Sequence, residues 1–169
     1  MDNWYALFVL TGEEDKVKQR LNYRLDNNQI RAIVPKRKLR ERKNGVWEDK
    51  VRVLFPGYVL MNGIIEVNNY YELKEIPGIL SILRDKNGPL IIDPNEISYI
   101  IRLLSEGEVI EVSNGYLEGS KIVIIDGPLI GLEGLIMSVN KRKGRVKVRM
   151  NLIGEARVVD LSVNIVKKC

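Results

Sequence analysis

Six cations lie between Lys141 and Arg149: Lys141, Arg142, Lys143, Arg145, Lys147 and Arg149, with no acid among them. In Arg145–Met150 a period of two sends Val146, Val148 and Met150 to one face and Arg145, Lys147 and Arg149 to the other. Such a row suits a polyanion. A solvated strand face is the bland alternative, but unneutralised cations this close repel one another until a polyanion arrives. Lys121, Asn151 and Arg157 extend the patch if neighbouring strands align. A small β module with a cationic edge is expected to bind nucleic acid.

Two further segments carry chemistry-bearing side chains. Lys36–Lys43 holds six cations against one acid, and Glu48 and Asp49 on the returning arm are placed to pair with some of them. The surplus is positive, so Lys38, Arg40, Arg42 and Lys43 are candidates for nucleic-acid contact, with a solvated projecting hairpin as the equal alternative. Leu54–Leu60 reads Leu-Phe-Pro-Gly-Tyr-Val-Leu, and Pro-Gly within a strand predicts a bulge or bend. Its aromatic residues, with Trp4 and Tyr5, either pack the core or dock a protein.

Other functions are disfavoured by what the chain lacks. Histidine is absent, which removes the usual general base, pH switch and metal ligand. The one cysteine is Cys169, expected to be an inert tail residue, so neither an intrachain disulfide nor a CxxC zinc site is expected. No clustered Asp/Glu set points to a metal-dependent nuclease. We expect no enzyme, no cofactor and no metal. The apolar runs are short and the first residues lack signal-peptide character, so a cytoplasmic, membrane-free protein is expected. Net charge is +5, of which residues 1–110 carry +1 and residues 111–169 carry +4. The cationic surplus is therefore C-terminal.

The elements that must position these groups follow from periodicity and turn residues. Asn3–Leu10 reads as a buried strand, and Thr11-x-x-Glu14 as a capping box before a helix burying Val17, Leu21 and Leu25. Ile30–Val34 is a strand stopped by Pro35, and Asn44-Gly45 predicts a hairpin. Asn68–Glu75 is a short helix and Ile79–Leu83 a strand. A longer helix starts at Asp93-Pro94 with Ile97, Ile100, Ile101 and Leu104 as its stripe, and Gly107 ends it. Glu108–Glu118 reads as a linker. Strands at Lys121–Ile125, Leu132–Asn140, Arg145–Asn151, Glu155–Asp160 and Asn164–Lys167 make a small barrel. The expected class is α+β: an N-terminal α/β sandwich, residues 1–107, with two helices on one face of a mostly antiparallel sheet, a linker, residues 108–117, and a β-barrel, residues 118–169.

Taken together, Trp4-Tyr5, Gly12-Glu13, Val34-Pro35, Phe55-Pro-Gly-Tyr58, Ile76-Pro-Gly78 and the KOW-like stretch Gly119–Val148 resemble the NusG family of transcription elongation factors. The resemblance covers nearly the whole chain. It implies an N-terminal domain that binds the clamp helices of RNA polymerase and suppresses pausing, through positions Trp4, Tyr5, Phe55, Tyr58 and Leu60. It also implies a hairpin, Lys38–Arg52, near the upstream DNA fork, and a helix whose Lys16 and Arg20 approach the non-template DNA strand. A monomer is expected. Ordinary members have a less cationic barrel and an aromatic in the loop that here reads Asp126-Gly-Pro-Leu-Ile-Gly131, which argues against Rho or ribosome contact. The basic barrel is similar to the LoaP-type members, processive antiterminators recruited by a hairpin in the nascent leader RNA. A housekeeping NusG is the alternative, and a KOW-type ribosomal or RNA-chaperone protein a more remote one. The Val/Ile-rich, glycine-punctuated C-terminal segment favours β structure over the helical refolding of RfaH-type members.

Overall fold

The computed structural model describes residues 3–25, 30–105 and 107–167; the expectation for Cys169 lies outside them. In chain order the elements are β1 (Asn3–Val9), α1 (Glu14–Arg24), β2 (Arg31–Ile33), β3 (Lys36–Lys43), β4 (Val46–Val53), β5 (Tyr58–Gly63) and α2 (Val67–Lys74). Then come β6 (Ile79–Ile82), β7 (Arg84–Asp85), β8 (Gly88–Pro89), α3 (Pro94–Leu104), β9 (Val109–Ile110), β10 (Ser113–Glu118) and β11 (Lys121–Asp126). The chain ends with β12 (Ile136–Asn140), β13 (Arg145–Leu152) and β14 (Glu155–Val166). Two compact units result, one of Met1–Pro35 with Phe55–Ile97, the other of Lys36–Leu54 with Ser98–Cys169. The basic hairpin thus groups with the C-terminal strands.

The first unit is built on an antiparallel sheet of order β2-β5-β1-β6. Alternation along β1 buries Tyr5, Leu7 and Val9, while Trp4, Ala6 and Phe8 share the other face with their partners Asn62, Leu60 and Tyr58. Helix α1 packs on β2 and β5 and α2 on β6. Val17, Leu21 and Leu25 are fully buried, each worth about 1.5–3 kcal/mol of apolar burial. The expected Thr11/Glu14 capping box does not form. Glu13 occupies the N-cap, and buried Glu14 instead accepts N–H bonds from Gly12 (2.8 Å) and Gly57 (2.9 Å).

That second bond ties α1 to the Phe55–Tyr58 segment. The segment is not a bulge within one strand. Tyr58 N–H donates to the Phe55 carbonyl across Pro56 and Gly57, and Gly57 has φ 87°, the pattern of a type II turn. It separates β4 from β5, which belong to different sheets. Helix α3 begins as expected, with the Asp93 carboxylate accepting Asn95 N–H (2.8 Å). It ends earlier than expected: Ser105 takes φ 56° and donates back to Ile101, before Gly107 is reached. Ile97, Ile100, Leu103 and Leu104 are buried and Ile101 is exposed, so Leu103 takes the place expected for Ile101.

In the second unit a five-stranded sheet of order β11-β10-β14-β13-β12 curls around Ile122, Leu129, Val146, Val148, Leu161 and Val163. Ser113–Glu118, expected within the linker, is β10. Its Ser113 is buried against Gly127, where a Cβ would come within 2.5 Å of Ser113 Cα. The last two expected strands are one, β14. It runs antiparallel to β13 over Glu155–Ser162 and parallel to β10 over Val163–Val166. A short 3-10 turn, Glu133–Leu135, delays β12 relative to expectation. Hairpin β3–β4 turns at Asn44-Gly45, with φ 52° and 80° as a type I′ turn requires, and β3 pairs in parallel with β9.

Candidate nucleic-acid interface

Strand β13 alternates as the sequence predicts. Val146, Val148 and Met150 are buried, while Lys147 and Arg149 are exposed on the opposite face. Register sets Ser162, Asp160 and Val158 of β14 beside Arg145, Lys147 and Arg149, and Asn140 and Ser138 of β12 beside Arg145 and Lys147. An acid therefore enters the row from the neighbouring strand. Asp160 lies 3.4 Å from Lys147 Nζ and 4.0 Å from Arg145 Nη1. One carboxylate shared by two cations leaves the row positive.

The turn before β13 adds Lys141, Arg142 and Lys143, all exposed. Lys143 N–H donates to Asn140 Oδ1 (3.0 Å), and Gly144 at φ 64° closes the turn. Among the described residues these three cations and Arg149 form no ion pair. A depression of ≈ 530 Å³ is lined by Ser138, Asn140, Lys141, Lys143, Lys147 and Asp160. The groove beside it, ≈ 380 Å³, is lined by Lys121 of β11 together with Ser138 and Val139 of β12. Lys121 thus reaches the same surface although β11 and β12 are the outer strands of the sheet order. Asn151, opposite Ala156, continues the outward row. Arg157 does not: it sits opposite inward Met150 and pairs with Glu155 (3.5 Å).

Hairpin β3–β4 meets β14 along the stretch of β3 beyond its pairing with β9. Arg40 N–H donates to Ser162 Oγ (3.2 Å), Arg145 Nη2 donates to the Arg40 carbonyl (3.0 Å), and Arg37 Nη1 donates to the Asp160 carbonyl (3.0 Å). Burial lowers the Arg37 pKa; Asp160 opposes that shift and Arg145 adds to it. Arg145, with its side chain only 19% exposed, is thus a strut as much as a surface cation. Most hairpin charges are paired. Lys38 meets Glu111 (2.7 Å), which raises the lysine pKa, Arg40 meets Asp49 (3.5 Å), and Arg52 meets Glu41 (2.9 Å), holding that carboxyl below its ordinary range. Arg42 and Lys43 at the tip are exposed and form no ion pair among the described residues. Opposite Arg42 stands Trp47, 47% exposed, which sequence reasoning passed over. The available signal was an aromatic two residues after the Asn-Gly turn on an otherwise charged strand.

The aromatic set of the first unit divides by depth. Tyr5, Phe55 and Leu60 are buried, so they shape the sheet rather than reach a partner. Trp4 and Tyr58 are half-buried on the face that also presents Phe8, 40% exposed. Phe8 and Tyr58 pack edge to face, with ring centroids 5.7 Å apart. Phe8 was missed because a strand of seven mostly apolar residues does not reveal which of them the sheet leaves uncovered. On α1, Lys16 is exposed. Arg20 is a clasp, donating to the Pro77 carbonyl (2.7 Å) with Glu13 3.9 Å away. Among the described residues no group of His, Cys, Asp and Glu could hold a metal ion, and no helix is long and apolar enough to cross a membrane.

Comparison with known proteins finds relatives along nearly the whole chain. The chain is 27% identical to the transcription termination/antitermination protein NusG of Halalkalibacterium halodurans, covering 98% of both chains. It is equally identical to that of Thermus thermophilus, over 98% of this chain and 97% of the relative. The Streptococcus pyogenes protein is 29% identical over 95% and 92%. A solved structure of Thermotoga maritima NusG shares the fold, with TM-score 0.61 and 24% identity over 96% of this chain and 94% of that one. The family model described as transcription termination factor nusG matches residues 2–101, more than half of the 169. The chain belongs to the NusG family.

Proposed function

We propose that this chain is a transcription antitermination factor that docks on RNA polymerase through the Trp4–Phe8–Tyr58 face. Its C-terminal barrel then binds a structured nascent RNA. The observation that carries the RNA half is the outward face of β13 and its leading turn. There Lys141, Arg142, Lys143 and Arg149 stand without ion pairs among the described residues, and a single acid, Asp160, serves Arg145 and Lys147. Lys121 widens the same surface. The full-length relatives carry termination/antitermination in their names, which supports a role in transcription.

An RNA hairpin with a bulge or open loop is the fitting ligand. The A-form major groove of a plain duplex is too deep and narrow for side chains, which leaves only phosphate contacts. An opened groove admits arginine to base edges, where a bidentate contact to guanine gives ~1–3 kcal/mol of discrimination. This is the LoaP-type mode of action, a processive antiterminator recruited by its leader transcript. The barrel corresponds to the KOW-like part of the sequence.

Housekeeping NusG activity is the second reading, favoured by relatives that align end to end at 27% identity. Against Rho or ribosome contact, the Asp126–Gly131 loop buries Leu129 and exposes Ile130, with no aromatic to offer. Titration of the full chain with a leader-transcript hairpin and a scrambled one tests the RNA half. Preferential, salt-dependent binding is expected, and equal weak binding to both would overturn it. In a deletion strain, transcription changes restricted to a few operons are expected; uniform changes support the housekeeping reading instead.

A further inference from the structure

We infer that the cleft between hairpin β3–β4 and the start of β13 is a pocket for one unpaired nucleotide, its base stacked on Trp47 and its phosphates held by Lys141, Arg142 and Lys143. The inference rests on the RNA-binding reading above and adds to it a specific site.

The cleft has a volume of ≈ 450 Å³, within the range of small-ligand sites. Arg40, Trp47, Lys141, Arg142 and Lys143 line it on the charged side, with Ser162 and Asn164 adding polar groups, and no acid is among its lining residues. Trp47 sits on a hairpin held to β14 by the Arg40–Ser162 and Arg145–Arg40 hydrogen bonds, so the indole is presented from a fixed edge. Trp47 is about half exposed, on a strand whose neighbours Val46, Glu48 and Asp49 are also exposed, so it is not a core residue that protrudes slightly.

An aromatic face beside Lys141, Arg142 and Lys143, which form no ion pair among the described residues, matches the requirements of a single-stranded nucleotide. The base stacks on the ring whatever its identity, and the backbone is held by charge. A paired base cannot enter, because its face is already covered within the duplex. The site therefore selects RNA with a flipped-out residue and gives the cationic face a reason to prefer a bulged hairpin over a plain one.

The test uses the full chain and two labelled RNAs, a blunt duplex and the same duplex interrupted by one unpaired adenine, followed by anisotropy and tryptophan fluorescence. Trp47→Leu is expected to weaken binding of the bulged RNA by about five- to a hundred-fold and leave the blunt duplex unchanged. Trp47→Phe, which keeps an aromatic face, should recover most of the loss. The wild type should show fluorescence quenching with the bulged RNA alone. If Trp47→Leu binds both RNAs like the wild type while Arg149→Ala weakens both, the pocket is overturned and the RNA-binding reading stands. No salt-dependent binding of either RNA to the wild type overturns both. A Trp47→Leu chain that keeps its RNA affinity but loses polymerase association assigns the cleft to a protein and overturns the nucleotide site.

Discussion

Arg145 and Arg149 stand on one strand face, yet their surroundings give them different work. Arg149 faces solvent beside Val158, whereas Arg145 spends a guanidinium N–H on the Arg40 carbonyl and lies within ion-pair distance of Asp160. Arg149→Ala should therefore reduce RNA affinity evenly across sequences and lower the log–log salt slope by about 1, without shifting the melting temperature. Arg145→Ala should lower affinity and also destabilise the fold. The two are separated by pairing a salt titration with thermal denaturation. Buried Glu14 is a second case in which burial sets the role. Glu14→Ala strips a charged acceptor from the Gly12 and Gly57 N–H groups and should cost about 1.5–3 kcal/mol in chemical denaturation. Because Gly57 lies in the turn that presents Tyr58, polymerase affinity should fall in parallel. The Thr11-x-x-Glu14 spacing had singled out this glutamate, but for a local cap, since nothing in the sequence announces a partner forty-three residues away.

At the level of elements, the Ile76–Gly78 segment is packed against α1 closely enough to forbid a side chain. Gly78 has φ 96°, and a Cβ there would meet Val17 Cγ2 at 2.7 Å. Gly78→Ala should destabilise by ~1–3 kcal/mol and disturb the neighbouring Arg20–Pro77 bond, read out by denaturant unfolding. The edge of β3 offers a gentler test. Ser162→Ala removes the acceptor for Arg40 N–H, a bond worth about 0.5–1.5 kcal/mol, and should speed hydrogen exchange at that amide while the Lys143 amide, bonded to Asn140, is unaffected. The elements themselves were largely readable. Asn44-Gly45, Asp93-Pro94 and the two-residue alternation of β13 each encode their geometry within a few residues. The misses were at junctions. The sequence predicts two strands where β14 is one, because β14 changes partner from β13 to β10 at Ser162–Val163, a switch with no local sequence mark. The segment before β11 looks like a linker in sequence because its pairing with β14 joins residues fifty apart.

For the whole molecule, two surfaces make separable demands. The aromatic face around Phe8 and Tyr58 is apolar, so the polymerase contact proposed for it should depend little on salt. The cationic face of the second unit should contribute affinity that falls steeply as salt rises. Phe8→Ala combined with Tyr58→Ala is accordingly expected to abolish polymerase association in pull-down at any ionic strength and to leave RNA titrations unchanged. Loss of RNA binding in that variant would show that the surfaces are not independent. By itself the sequence determined the two kinds of architecture, the hairpin, the outward row of β13, the excess of charge near the C-terminus and the family likeness. These follow from dihedral preferences, side-chain periodicity and composition, which act over a few residues. Only the tertiary structure decided which of those charges remain available. Asp160 enters the row from the next strand, and Arg37 and Arg145 bind carbonyls more than a hundred residues distant. It likewise decided that Tyr5, Phe55 and Leu60 are core while Phe8 and Trp47 face solvent. Burial and neutralisation depend on what the fold brings alongside a residue, and strand pairing across the chain supplies those neighbours.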